Sequence, residues 1–254
     1  KIATDTLSPW WRNAIIIVLM IGFAALIWIA IRSYSDAPPI PVKVVNQSGE
    51  TIFNREDILA GQQVFLKYGL MENGTIWGHG AYLGPDFSAE YLHTLSLDAG
   101  ETLSKQNYNR PFPELTAKEQ AMLNVEVQQL LKQNRYDPKN GTLIFSPSEI
   151  ASFKHQISKW TTYFSQPALN RGLLVRHIKD PKEIERLTAF FAWTAWASVA
   201  NRPGKSYSYT NNFPYDPTVG NIPTSDAILW SALSLITLLG GTAIVLFSFG
   251  KFNF

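Results

Sequence analysis

Apolar residues gather at the two ends of this chain. Residues 14–31 (AIIIVLMIGFAALIWIAI) and 227–249 (AILWSALSLITLLGGTAIVLFSF) carry no charged side chain. A helix crosses the hydrocarbon core with about 20 mostly apolar residues at 1.5 Å rise each, so both runs are long enough. Trp10, Trp11 and Arg12 precede the first run, which is the aromatic and cationic flank that a membrane interface favours. A cleavable signal peptide is the competing reading of that run. Its apolar part would be about 7–15 residues and would end in a small-x-small cleavage site, which is missing. A buried core helix competes for the second run, but Gly240-Gly241 is costly inside a soluble helix and ordinary between membrane helices. Both runs are therefore expected to span. The termini then share one side of the bilayer and everything between lies on the other.

Between the spans the pattern is helical. Residues 37–41 (APPIP) read as a stiff spacer. Asn54 is placed to cap a helix with Glu56 and Asp57 in its first turn, running to about Gly69. Thr116 with Glu119, and Ser146-Pro147 with Glu149, form capping boxes. Asp180-Pro181 opens a further helix carrying Ile184, Leu187, Phe190, Phe191 and Trp193 and stopping by Arg202-Pro203-Gly204. No alternating strand pattern is visible. Residues 69–112 and 206–223 show little helical periodicity and are expected to be long irregular connections, the second packing on the membrane surface or on another membrane domain. The expected fold is mainly α: a span in 1–32, an extracytoplasmic domain in 33–226 and a second span in 227–254.

Composition narrows the chemistry. Charged residues make up 17% of the chain, against about 25% in ordinary domains. The net charge of +2 is too balanced for a nucleic-acid binder. Cysteine is absent, which excludes disulfides, thiolate metal sites, Cys nucleophiles and covalent haem c attachment. His79, His93, His155 and His177 lack the spacing of a helical metal pair, and the spans contain no ionisable residue. No nucleophile elbow, Walker loop or dinucleotide fingerprint occurs. Asp86 and Glu90 lie near Tyr82 and could support a cation, although a solvated loop face is the plainer reading. Lys1, Arg12 and Lys251 on the tails, against Arg32 and Lys43 on the flanks of the loop, favour cytoplasmic tails. Lys105, Arg135 and Lys139 would then be open to a protease outside.

Several stretches are specific. DILAGQQ from Asp57, KYGLME from Lys67, WGHGAY from Trp77, GPD from Gly84, FFAWTAW from Phe190, YTNNFP from Tyr209 and Gly220-Asn221 together resemble the N-terminal region of quinol-dependent nitric oxide reductases. In the related cytochrome c-dependent enzymes a haem-attachment C-x-x-C-H precedes a Gly-x-Gly-Ala-Tyr segment. Here Leu70 and Asn73 stand at the two cysteine positions and Gly74 at the axial histidine.

The resemblance implies a cytochrome c-like domain lacking haem c, fused to a catalytic membrane domain that takes electrons from quinol in the lipid bilayer. That domain converts nitric oxide to nitrous oxide. It would supply haem b, haem b3 and non-haem iron on later helices absent from these residues, so the chain is expected to be a segment of a longer enzyme of the bacterial inner membrane. No catalytic or cofactor-binding residue is expected in the chain itself. The resemblance also implies that Tyr82 reaches the catalytic domain and helps hold calcium; the alternative is that Tyr82 only packs there. His79 stands where the relatives have an acidic residue. A nitric oxide dismutase of the same family, which differs in the catalytic helices, is the alternative; a two-span receptor shares the layout, and homodimerisation is left open.

Overall fold

The computed structural model describes residues 9–252 apart from 167, 168, 170, 171, 175 and 176. It divides into two units, Lys1–Pro39 and Ile40–Phe254. The first contains α1 (Pro9–Ser35).

The second unit opens with β1 (Lys43–Val45) and β2 (Thr51–Asn54), paired antiparallel. α2 (Arg55–Lys67) starts at Asn54, whose side chain accepts from Asp57 N at 3.0 Å while the Asp57 carboxylate accepts from Asn54 N at 3.1 Å. A hairpin of β3 (Thr75–Ile76) and β4 (His79–Gly80) follows.

Residues 87–108 then form α3 (Phe87–Tyr108), inside the stretch whose hydropathy predicts an irregular connection. Its inward face interleaves Phe87, Tyr91, Leu92, Leu95 and Leu103 with Ser88, Thr94, Ser96, Ala99, Gly100 and Ser104. Small and hydroxyl-bearing residues erase the hydrophobic period without exposing polar atoms. Thr94 donates to Glu90 O at 2.9 Å, Ser96 to His93 O at 2.8 Å and Ser104 to Arg110 O at 2.6 Å.

α4 (Ala117–Lys132) and α5 (Pro147–Ser165) begin at the capping boxes of Thr116 and Ser146. Between them lie β5 (Tyr136–Asp137) and β6 (Thr142–Ile144). β6 runs parallel to β1, with Val44 opposite Leu143, giving the sheet order β2-β1-β6-β5. The sequence shows no strand signal because each strand has only two to four residues, too few for alternation to be read. Asp180 caps α6 (Pro181–Val199), and α7 (Ser225–Phe252) is the last element described.

Rings fill the core between α2, α3, α5 and α6. Phe87 stacks on Phe191 at 4.9 Å, and Trp160 meets Phe191 at 5.2 Å and Phe87 at 5.6 Å. Each buried ring of this size contributes about 1.5–3 kcal/mol. The stretches Arg12–Ser35 and Ser225–Lys251 are long and apolar enough to cross a membrane, and their most apolar windows are wholly unburied. Aliphatic surface on that scale is unfavourable in water, so the end helices suit a bilayer.

Candidate functional site

The β3–β4 hairpin and the loop behind it carry Tyr82. The turn needs positive φ at both central residues, and Trp77 (53°) and Gly78 (78°) provide it. Trp77 tolerates this because its ring is fastened: Nε1 donates to Thr194 O at 3.0 Å, and the indole lies 5.6 Å from that of Trp193. The loop is then sewn to residues 71–73. Ala81 N donates to Met71 O at 2.7 Å and Gly84 N to Asn73 O at 2.5 Å. A Cβ on Gly84 would lie 2.2 Å from Asn73 Oδ1 and 2.9 Å from its Cγ, so a larger residue would have to displace the Asn73 side chain.

Held in this way, Tyr82 and Leu83 project outward, 83% and 70% exposed. The Tyr82 hydroxyl donates to Gly78 O at 3.1 Å. Its acidic neighbours are engaged elsewhere. Asp86 caps α3: Oδ1 accepts from Ala89 N at 2.9 Å and from the Ser88 hydroxyl, and Oδ2 from Thr75 Oγ1 at 2.7 Å and Gly78 N at 2.6 Å. Glu90 pairs with Lys159, which also donates to Thr94 Oγ1 at 2.6 Å. Asp86 is thus a structural cap, and among the described residues no group of three His, Asp or Glu side chains could hold a metal.

The histidines are also engaged in part. His93 Nδ1 lies 3.1 Å from Asp216, His155 Nδ1 3.0 Å from Asp98, and His177 Nε2 donates to Tyr68 O at 2.9 Å. His79 is exposed on β4. A cavity of about 760 Å³ separates the Tyr82–Pro85 loop from α5, with Glu90, His155, Lys159, Trp160 and Tyr163 on its walls. The sequence does carry His155 and Lys159 at i, i+4 spacing, but nothing in it says that α3 brings Glu90 to face them.

Segment 70–74 lies beneath this loop. Leu70 is fully buried in a short 3-10 turn, Leu70–Glu72, and Asn73 is 4% exposed. At Gly74 a Cβ would come within 2.2 Å of Pro85 O and 2.7 Å of the Phe87 ring. Pro85 O cannot retreat freely, since it accepts from Thr75 N at 3.0 Å.

The family model for the NorB cytochrome c-like domain of nitric oxide reductase matches residues 41–215, well over half of the chain. The chain belongs to this family. No curated protein matched in direct sequence comparison. The nitric oxide reductase family region begins beside the spacer and ends within the turn-rich segment before α7. It therefore takes in the hairpin, Tyr82, segment 70–74 and the ring-filled core.

Proposed function

We propose that the chain is the N-terminal portion of a membrane-bound, quinol-dependent nitric oxide reductase. Its domain is a cytochrome c-like domain without haem c that docks on the catalytic membrane domain through the Tyr82 loop. The complete enzyme would join two nitric oxide molecules, using two electrons and two protons, into nitrous oxide and water. The family match carries this reading and favours it over a receptor, while the two apolar helices flanking the domain in sequence are consistent with it.

Haem c does not fit the residues present. Thioether attachment needs thiols, and the chain has none. A histidine at position 74 would drive its Cβ into Pro85 O and Phe87, and Phe87, Phe191 and Trp160 already pack ring to ring behind it. With no redox centre of its own in this domain, electrons have to enter the catalytic domain directly, which favours quinol dissolved in the bilayer. Haem b, haem b3 and non-haem iron belong to the catalytic domain.

Tyr82 is the docking tip in this reading. Its hydroxyl and the Gly78 carbonyl put two oxygens on one exposed corner, 3.1 Å apart. Calcium takes six to eight oxygens, so this corner offers a minor share of a shell completed by the catalytic domain. The complete enzyme should oxidise quinol with consumption of nitric oxide and give no haem c signal in a pyridine haemochrome assay. A haem c signal, or turnover with reduced cytochrome c and none with quinol, refutes the proposal. For Tyr82→Phe, loss of calcium together with turnover supports ligation. Loss of turnover with calcium retained supports packing alone. Unchanged calcium and turnover reject the ligand role.

A further inference from the structure

The segment that joins the domain to α7 is fastened as firmly as a core element, and one lysine sits at its centre. Lys132, the last residue of α4, is half-buried, and among the described residues no carboxylate pairs with it. Its ammonium donates instead to two amide oxygens, Asn212 Oδ1 at 3.1 Å and Asn221 Oδ1 at 2.5 Å. Asn221 is fully buried, and its Nδ2 donates to Ser198 O at 2.9 Å and Pro214 O at 3.0 Å. Asn212 Nδ2 donates to Ile222 O at 3.0 Å, and Asn212 Oδ1 also accepts from Ser208 N at 3.0 Å. The Lys132 carbonyl accepts from Asn201 N at 3.0 Å. One side chain thus ties the end of α4 to both arms of the connection, and through Asn221 to the end of α6.

Outer stitches follow the same line. Gln128 Nε2 donates to Pro217 O at 2.9 Å, His93 faces Asp216 at 3.1 Å, and Ser96 faces Thr218 at 2.9 Å. Flexible interdomain linkers are polar, exposed and poor in such bonds. This connection is the opposite. Asn221 lies four residues before Ser225, where α7 begins, so at most about 14 Å of free chain separates the last buried anchor from the span.

We propose that Lys132 is the keystone of a rigid coupling that fixes the direction in which the chain leaves the domain towards α7. Removing the ammonium leaves the buried Asn221 Oδ1 without a donor and strips Asn212 Oδ1 of one of its two, a penalty that falls within residues 207–222. The coupling is independent of whether Tyr82 docks on anything, because neither Tyr82 nor its loop contributes a bond to it.

Two measurements on the full chain in nanodiscs test the coupling. The absence of native cysteine lets Lys139→Cys and Asp226→Cys place spin labels without background, one on the β5–β6 turn and one in the first turn of α7. The parent should give one narrow distance distribution, and Lys132→Met, which keeps the bulk of the stem, should broaden it. Amide exchange across 208–221 should be slow in the parent and about tenfold or more faster in Lys132→Met, with α2 and α5 unchanged. A broad distribution or fast exchange in the parent overturns the proposal outright. So does a distribution that stays narrow in the variant. Gln128→Ala removes only an outer stitch and should leave the distribution narrow; broadening there to the same extent would deny Lys132 its special place.

Discussion

Gly61 and Gly100 are both helix-interior glycines, and replacing each with alanine should move stability in opposite directions. Backbone entropy treats them alike: alanine is favoured over glycine in a helix by about 0.5–1 kcal/mol. Packing separates them. A Cβ on Gly61 would lie 2.0 Å from Arg186 O, 2.7 Å from Arg186 C and 2.8 Å from Phe190 Cβ. These are backbone and root atoms of α6, which cannot rotate away, so α2 itself has to back off by more than an ångström. That loosens the interface in which Phe65 lies 5.9 Å from Phe190 and 6.3 Å from Phe191. Overpacking costs about 1–3 kcal/mol, and a 2.0 Å approach to backbone belongs in the upper part of that range, leaving a net loss of roughly 1–2 kcal/mol after the entropic gain. At Gly100 the nearest atom is Phe112 Cδ2 at 3.6 Å, an ordinary contact, so the entropic gain survives. For a domain of this size 1 kcal/mol shifts Tm by about 2–4 °C. Gly61→Ala should therefore melt roughly 2–8 °C lower and Gly100→Ala about 1–4 °C higher, followed by circular dichroism of the detergent-solubilised chain. If both variants melt higher, helix propensity governs and the close α2–α6 approach does not constrain the fold.

Restoring Leu70→Cys, Asn73→Cys and Gly74→His in a strain competent for cytochrome c maturation should yield no haem c, because position 74 has no room for a Cβ; a haemochrome band would show that the core opens. Trypsin added to spheroplasts should cut at Lys139, exposed in the β5–β6 turn, and spare Arg135, whose guanidinium pairs with the buried Glu149 at 2.5 Å; cleavage only in inverted vesicles would reverse the topology. Burial lowers Lys132 from 10.5 to about 8, so above pH 8 the folded chain has released a proton that the unfolded chain still holds. Stability should therefore rise between pH 8 and about 9.5 in the parent relative to Lys132→Met, as read by urea midpoints, and parallel curves would contradict it. Burial raises Tyr91 and Tyr209 above their ordinary range, which keeps their phenols neutral across that window.

Much of the helical framework was legible because its start signals are local. Asn54, Thr116, Ser146 and Asp180 each cap the helix that their spacing predicts. The same grammar existed for α3, where Asp86 caps by accepting from Ala89 N, but Asp86 reads equally well as a loop acid near Tyr82. With serines, threonines and glycine on its inward face, α3 offers no periodic stripe to break that tie. The site was half visible. WGHGAY marks the hairpin and its tyrosine, whereas the neighbours that occupy Asp86 and Glu90 come from the fold, with Lys159 far along the chain on α5. Lys132 was invisible for the same reason: its partners Asn212 and Asn221 sit in a segment whose composition reads as loose. Arg135 also looked like an open protease site until Glu149 was seen to bury it.

The pairing of β1 with β6 and of α2 with α6 imposes a timetable on biosynthesis. Val44 waits for Leu143, and Phe65 waits for Phe190 and Phe191, so the early elements emerge long before their partners exist. Contacts this distant in sequence are slow to form, because the loop must close before any contact rewards it. The last core helix ends at Val199 and α7 starts at Ser225. At about 5–20 residues per second, roughly one to five seconds of translation separate the final core element from the next membrane segment. The nascent domain therefore spends most of its synthesis as an unclosed chain with aromatic side chains uncovered, dependent on whatever shields it from neighbouring nascent chains. It completes its core at nearly the moment when the following helix asks to be inserted.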